Sequence, residues 1–80
     1  MANLPTERIV VDPNVMAGKP VIQGTRIPVE LIIRMLAQGL SENEILREYP
    51  HIQREDILAA LAYAAQTLAH EDILPLTASA

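Results

Sequence analysis

The amino-acid sequence predicts a mainly α-helical domain with a short N-terminal β ribbon, arranged as a trihelical helix-turn-helix bundle. Three observations support this prediction. Two short β-branched runs lie before residue 28, and they are too short to form a stable sheet without a covering layer. Three segments after residue 28 place apolar residues at helical spacing. The second segment is short and the third follows it closely, which is the order of a helix-turn-helix.

The ribbon is centred on residues 18–28, which read Gly-Lys-Pro-Val-Ile-Gln-Gly-Thr-Arg-Ile-Pro. Gly24 can adopt a positive φ at no steric cost, so residues 23–25 are predicted to form a tight turn between two short extended runs. Pro20 and Pro28 lack an amide donor, which confines the ribbon to a sheet edge or to strand ends. Pro28 also suits the first turn of a helix.

Two further elements are predicted upstream of the ribbon turn. The run at residues 8–11, Arg-Ile-Val-Val, should form a strand. Asp12 followed by Pro13 is typical of a helix cap and first turn, so residues 12–16 are predicted to form a single helical turn.

The first two helices have clear boundary signals. Apolar residues recur at i, i+3, i+4 and i+7 over residues 29–40, and Gly39 lies where a C′ glycine ends a helix. Ser41 and Glu44 match a capping box, which predicts a second helix over residues 42–48. The proline at position 50 stops that helix, because the residue before proline disfavours the α region.

The third helix is predicted to run from about residue 54 to residue 69. Gln53 is a poor N-cap, so its start is less sharply defined. The apolar stripe is broad, which indicates burial on two sides. Its predicted core-facing residues are Ile57, Leu61, Ala64, Ala65 and Leu68, with Leu58, Ala62 and Ala69 beside them.

Length and composition indicate one small domain. We divide the 80 residues into an N-terminal tail, 1–7, a single domain, 8–70, and a C-terminal tail, 71–80. Within the domain, the ribbon covers residues 8–27 and the helical bundle residues 28–70. Half of the residues are hydrophobic and nearly all of those are aliphatic. A chain this short has few interior positions, so this composition favours a homodimer that buries apolar surface.

The lack of cysteine, the lack of a long apolar run and the net negative charge each argue against particular kinds of site or protein. The chain has no cysteine, which excludes disulfides and thiolate sites. No apolar run is long enough to span a membrane, and the first seven residues lack a secretory signal, so we expect a cytoplasmic location. The net charge of −4 disfavours strong non-specific nucleic-acid binding. It does not exclude a DNA-binding face, since the distribution of charge decides that.

A series of ordered motifs extends from the ribbon to the third helix. They are Gly18-Lys19-Pro20-Val21-Ile22, Gly24-Thr25-Arg26-Ile27-Pro28-Val29, Leu36-Ala37, Gly39, Ser41, Glu44-Ile45-Leu46, Tyr49-Pro50, Glu55-Asp56-Ile57, Ala59-Ala60-Leu61 and Tyr63-Ala64. Over roughly residues 8–70 this series closely resembles the domain-of-unknown-function 433 (DUF433) family. The resemblance implies a small, homeodomain-like helix-turn-helix protein of bacteria or archaea. It also implies similarity to VapB-type antitoxins, which are encoded beside a PIN-like ribonuclease toxin.

In a helix-turn-helix, the third helix would place its first turn in the major groove of DNA. Arg and Gln have the bidentate geometry that reads guanine and adenine edges, and polar residues of the second helix and the turn can hold phosphates. The candidate base readers are Gln53 and Arg54, and the candidate phosphate contacts are Asn43, Arg47 and His51. The alternative is that all five are solvated polar residues of an ordinary bundle, since the acids at positions 55 and 56 would repel phosphates.

Lys19 and Arg26 flank the ribbon turn and could both contact a phosphate backbone. For Lys19 we favour a structural role, because lysine on an edge strand prevents unwanted strand pairing. Arg26 could instead pair with Asp12 or Glu30 within the fold, and the sequence leaves its role open.

No catalytic, metal-binding or cofactor-binding constellation is found in the sequence. His51 and His70 have no motif around them, and the adjacent acid pairs at 55–56 and 71–72 do not face one site on a helix. The spacing from Gly18 to Gly24 lacks the Gly-Lys-Ser/Thr ending of a phosphate loop. We therefore expect a protein that is not an enzyme and needs no cofactor.

The function expected from residues and resemblance together is that of an antitoxin in a two-gene toxin–antitoxin module. The protein would bind its own promoter and so autoregulate it, and it would bind a PIN-like toxin. The apolar residues Ile73, Leu74 and Leu76 of the C-terminal tail are the candidate toxin contacts. The alternative is a protein-interaction module that binds no nucleic acid, which the negative charge favours.

Overall fold

The structure, a computed structural model, describes residues 5–70. Its elements are a 3₁₀ turn at Pro5–Arg8, strand β1 at Ile9–Val11, a 3₁₀ turn at Met16–Gly18, strand β2 at Pro20–Ile22, and helices α1 at Val29–Ala37, α2 at Glu42–Glu48 and α3 at Arg54–Ala69. The predicted fold class is confirmed: three helices with a two-stranded antiparallel ribbon at the N-terminal side.

The ribbon pairs β1 with β2, in a register that sets Ile9 opposite Ile22. The predicted turn at residues 23–25 is present, and Gly24 has a φ of 78°. The Thr25 hydroxyl donates to the Ile22 carbonyl at 2.7 Å and accepts from the Ile27 amide at 2.9 Å, which closes the turn. Beyond the turn the chain forms only an isolated bridge between Val21 and Pro28, so it leaves the ribbon directly for α1.

The helical turn predicted over residues 12–16 is wrong. The Asp12 carboxylate accepts a hydrogen bond from the Asn14 amide at 2.9 Å, and the Val15 amide donates to the Asp12 carbonyl. Aspartate that bonds backbone two residues on stabilises a turn instead of a helix start. Met16 and Ala17 then adopt positive φ values of 51° and 57°.

The first two helices begin and end largely as their caps predict. Helix α1 stops at Ala37, and Gly39, with a φ of 96°, lies just past its C-cap as predicted. Ser41 and Glu44 form the predicted capping box: the Ser41 hydroxyl accepts from the Glu44 amide, and the Glu44 carboxylate accepts from the Ser41 amide at 2.7 Å.

Helix α3 has the predicted bounds, but its buried face matches the predicted one only in part. Leu61 and Leu68, predicted to face the core, are 41% and 57% exposed, and Ala65 is exposed as well. Ile57 is buried as predicted, and Ala60, which the predicted stripe left out, is buried as well. A small residue there lets α3 approach its neighbours closely, so packing sets the helix rotation and overrides the largest apolar stripe.

One isoleucine from each of four elements forms the centre of the core. Ile22 of β2, Ile32 of α1, Ile45 of α2 and Ile57 of α3 are all at most 1% exposed. The core is thus aliphatic, and it joins the ribbon to all three helices. No helix within residues 5–70 is long and apolar enough to cross a membrane.

Candidate nucleic-acid interface

The connection between α2 and α3 is anchored to the core. Ile52 is buried in the middle of the turn, and its amide donates to the Tyr49 carbonyl at 3.1 Å. The Gln53 amide donates to the Asp56 carboxylate at 2.8 Å, which caps the first turn of α3. The helix-turn-helix therefore presents the start of α3 in a fixed orientation.

Asp56 also connects the start of α3 to the N-terminal part of the chain through an ion pair. Its second carboxylate oxygen lies 2.9 Å from Nη1 of Arg8, and its side chain is nearly buried. The sequence alone indicated Asp56 only as an acid that would repel phosphates, and it indicated no side-chain role for Arg8. The Gln53-x-x-Asp56 spacing, which equals that of a capping box, is a signal that could have revealed the cap. No local signal marks a partner 48 residues away.

Two adjoining clefts open beside this turn. The first, of about 550 Å³, is polar; the second, of about 670 Å³, lies along the ribbon. Gln23 and His51 line both clefts. The backbone amide of Gln23 donates to the Arg8 carbonyl at 2.7 Å. The first cleft is lined by Glu7, Arg8, Gln23, His51, Gln53 and Asp56, and the second by Val10, Val15, Val21, Gln23, Gly24, Thr25, Arg26 and His51.

The shared lining brings three of the sequence-predicted site residues onto one surface. Gln53 lines the first cleft, Arg26 the second, and His51 lies between them in both. We call the surface formed by Arg26, His51 and Gln53 the ribbon–turn surface. It combines a guanidinium, an imidazole and an amide, which are groups suited to phosphate oxygens and base edges.

The two arginine assignments change in the structure. The alternative that Arg26 pairs with Asp12 or Glu30 is wrong, because Glu30 pairs with Lys19 and the Asp12 carboxylate caps its own turn. Within residues 5–70 Arg26 has no acidic partner within 4.0 Å. Arg54 is exposed, but its Nε lies 2.8 Å from a Glu42 carboxylate oxygen, so the predicted base reader is ion-paired to α2.

The remaining predicted site residues lie apart from the ribbon–turn surface or outside the described residues. Lys19 contacts Glu30 at 3.2 Å and lines a different groove, between α1 and α3. Asn43 and Arg47 are exposed on α2. The candidate partner contacts in residues 73–76 lie outside the described residues. Within residues 5–70 no group of three or more His, Asp or Glu side chains could hold a metal ion.

The family model for DUF433, described as "Protein of unknown function (DUF433)", matches residues 9–64. The chain belongs to the DUF433 family. The resemblance found in the sequence motifs is thereby confirmed, and Arg26, His51 and Gln53 all lie within the DUF433 match. Arg8 and the last turn of α3 lie outside it.

Two uncharacterized proteins resemble this chain in sequence. Uncharacterized protein y4eO of Sinorhizobium fredii is 34% identical over 58 residues, which cover 72% of this chain and 26% of that protein. An uncharacterized protein of Archaeoglobus fulgidus is 66% identical over 29 residues, covering 36% of this chain and 81% of its own length.

A crystal structure of a DUF433 member from Anabaena variabilis superposes with a TM-score of 0.73 at 35% identity, over 78% of this chain and 61% of that chain. The chain thus spans about a quarter of the Sinorhizobium protein and about three fifths of the Anabaena protein. The fold of the DUF433 member is thus shared by this chain.

Proposed function

We propose that this DUF433 protein is a DNA-binding antitoxin that recognises its own promoter through the ribbon–turn surface. The observation that supports the proposal is the placement of the ribbon turn beside the helix-turn-helix turn, with Gln23 and His51 lining the clefts of both. A helix-turn-helix alone offers the start of α3; here the ribbon adds Arg26, which shares a cleft with His51 of the turn.

The roles follow from the chemistry of each side chain. Gln53 precedes the first residue of α3, and a glutamine amide can bond two atoms of an adenine edge. Arg26 and His51 are exposed and can contact phosphates, which would fix the register of α3 in the groove. The capped start of α3 and the Arg8–Asp56 ion pair hold these groups in place before DNA arrives, which limits the ordering cost of binding.

The first experiment is fluorescence anisotropy of the purified protein with DNA from its own upstream region, over a salt series, with scrambled DNA as the control. We expect tight binding to the upstream DNA that weakens steeply as salt rises. No binding below roughly 10 µM at low salt, where even non-specific binding should be measurable, would overturn direct DNA recognition by this protein alone.

Two variants separate phosphate contact from base reading. Arg26→Gln should weaken binding to every sequence about equally and lower the salt slope by about one. Gln53→Ala should weaken only specific binding, by about 1–3 kcal/mol, and leave the salt slope unchanged. Each variant is the control for the other. If the two variants changed specific affinity and salt slope in the same way, the roles assigned to Arg26 and Gln53 would be contradicted.

Glu42 offers a test of Arg54. Because Glu42 holds Arg54 in an ion pair, base reading by Arg54 requires that pair to open. Glu42→Gln should raise DNA affinity more than Glu48→Gln, which makes the same charge change at the far end of α2. Arg54→Ala should lower specific affinity by about 1–3 kcal/mol. An Arg54→Ala variant that binds like wild type would leave Arg54 as a structural residue of the α2–α3 pair.

The antitoxin role adds a protein partner, a PIN-like ribonuclease toxin held by Ile73, Leu74 and Leu76. Deletion of residues 74–80 should abolish binding of the toxin, measured by titration calorimetry, and spare DNA binding. Unchanged toxin affinity after the deletion would remove the tail from the proposal.

A second candidate function is a protein-interaction module without nucleic-acid binding. The net charge of −4 and the Arg54–Glu42 ion pair favour it, since both reduce the attraction for phosphates. Salt dependence discriminates the two functions: apolar protein contacts change little with salt, whereas phosphate contacts weaken steeply.

A further inference from the structure

We infer that the groove between α1 and the C-terminal half of α3 is the interface of a two-fold symmetric dimer of this chain. The groove, which we call the α1–α3 groove, has a volume of about 580 Å³ and a mainly apolar lining. Ile33 and Ala37 of α1 face Ala64 and Leu68 of α3 across it.

Within residues 5–70 no side chain covers the apolar surface of the groove. Leu68 of α3 is 57% exposed, and Ala37 of α1, which lines the same groove, is exposed as well. Apolar surface gathered in one concave place marks an interaction site more often than single exposed residues do. The alanines matter as well, because short side chains let a neighbouring helix approach closely.

The charges at the rim fit a second copy of this chain as the occupant. Lys19 lies 3.2 Å from Glu30, and Arg34 lies 3.9 Å from the same carboxylate oxygen, so one acid is flanked by two bases along the groove. In a two-fold interface each patch meets its own copy, so a rim that carries both signs can set the bases of one chain against the acid of the other. A rim of one sign would repel its copy.

The groove also leaves the DNA-reading end free. It uses the last turns of α3, whereas Gln53 and Arg54 lie at the opposite end of this helix. The centre of the groove lies about 12 residues from the start of α3, which is roughly 18 Å along the helix axis. Two α3 helices that pack antiparallel there would place their reading ends roughly 30–36 Å apart.

That separation is close to one turn of B-DNA, about 34–36 Å. The dimer therefore predicts an operator of two inverted half-sites whose centres are about 10–10.5 base pairs apart. This spacing rests on the proposed DNA-binding function. The dimer interface itself does not.

The interface is tested by sedimentation velocity of the full chain over a concentration range on the order of 1–100 µM, which spans the affinities of modest interfaces. We expect wild type to dimerise and Leu68→Glu to dimerise at least about tenfold more weakly, because two carboxylates would be buried in apolar surface. Leu61→Glu is the matched control: Leu61 is an exposed leucine of the same helix outside the groove, and its variant should dimerise like wild type. Circular dichroism checks that each variant is folded.

A charge exchange tests the self-complementary rim. Glu30→Lys makes the rim positive and Arg34→Glu makes it mainly negative, so each variant alone should dimerise more weakly than wild type. An equimolar mixture of the two should form heterodimers, because opposite rims then meet. Restored association in the mixture supports the interface, and its absence counts against a two-fold contact at this rim.

Several outcomes would overturn the inference. One is a wild-type monomer at every concentration, and another is a Leu68→Glu variant that dimerises like wild type. A monomer that dimerises only after deletion of residues 71–80 would assign the groove to the chain's own C-terminal segment. Dimerisation without DNA binding would contradict the proposed function and leave the interface supported. DNA binding by a protein that stays monomeric would contradict the interface and leave the proposed function supported.

Discussion

Asp56 serves two structural purposes with its two carboxylate oxygens. One accepts the Gln53 amide and caps α3, and the other pairs with Arg8 beside the ribbon. Among the residues that the structure describes, Asp56 is the buried charged residue, at 8% exposure. Both contacts hold the start of α3, so this residue supports the site without belonging to its exposed surface.

Replacement of Asp56 by asparagine should therefore destabilise the fold. The neutral amide would lack the charge that pairs with Arg8, and hydrogen bonds to charged groups contribute about 1.5–3 kcal/mol each. We expect Asp56→Asn to lower the free energy of unfolding by about 1–3 kcal/mol in urea denaturation. Glu55→Gln, an exposed acid one residue earlier, should stay within about 0.5 kcal/mol of wild type. Equal effects of the two would contradict the cap and the ion pair.

The capping box of α2 makes a second prediction, on pH. The amide of Ser41, and then its hydroxyl, hold the pKa of the Glu44 carboxyl below its ordinary value by hydrogen bonding. Since the pKa is lowered in the folded state, the carboxylate contributes stability above the unfolded pKa, and the contribution is lost as pH falls through the folded pKa.

Wild type should therefore be more stable than Glu44→Gln at neutral pH, and the difference should shrink as pH falls below about 4. Thermal unfolding over a pH series measures it. Glu48→Gln is the control, because Glu48 lies at the C-terminal end of α2, where the helix dipole does not favour a carboxylate. A difference between wild type and Glu44→Gln that is constant with pH would argue against the capping role.

These two acids show which residue roles the sequence reveals. Ser41 and Glu44 are three residues apart, and their pattern predicts the observed hydrogen bonds because capping is a local interaction. Arg8 and Asp56 are 48 residues apart. Only the packing of the first 3₁₀ turn against α3 brings them together, and no periodicity or spacing encodes that contact.

At the scale of elements, periodicity predicts where a helix lies better than how it is rotated. The bounds of α3 were predicted correctly, but the predicted stripe contained Leu61, Ala65 and Leu68, which are exposed. Leucine and alanine occupy nearly every side of this helix, so the apolar pattern has no single direction. Ala60 faces the core because its short side chain lets the neighbouring elements pack closely against α3.

Two alanine-to-leucine changes test this rotation. Ala60 is fully buried and belongs to the core, so Ala60→Leu should overpack it and destabilise the protein by about 1–3 kcal/mol. Ala65 is exposed on the same helix, and Ala65→Leu should change stability by less than about 0.5 kcal/mol. Chemical denaturation measures both. If Ala65→Leu were the more damaging change, the predicted stripe would be correct and the observed rotation wrong.

At the scale of the whole molecule, the candidate site depends on how the ribbon packs on the helical bundle. The sequence predicted Gln53 and His51 as site residues from the order of the helices, and it left Arg26 undecided. The ribbon is joined to the bundle through Ile22 in the core and through Arg8, and these long-range contacts place Arg26 beside His51. Lys19 of the same ribbon instead forms an ion pair with Glu30.

Among the residues that the structure describes, the same packing leaves the α1–α3 groove uncovered, and we expect this to link stability to protein concentration. If folded chains associate through the groove, mass action stabilises the folded state, and the apparent Tm should rise by about 5 °C for each tenfold increase in concentration. Differential scanning calorimetry of wild type, Leu61→Glu and Leu68→Glu at several concentrations measures this. Wild type and Leu61→Glu should show the rise, and Leu68→Glu should show a Tm that barely depends on concentration. A wild-type Tm independent of concentration would mean that each chain folds alone, with the groove open to solvent.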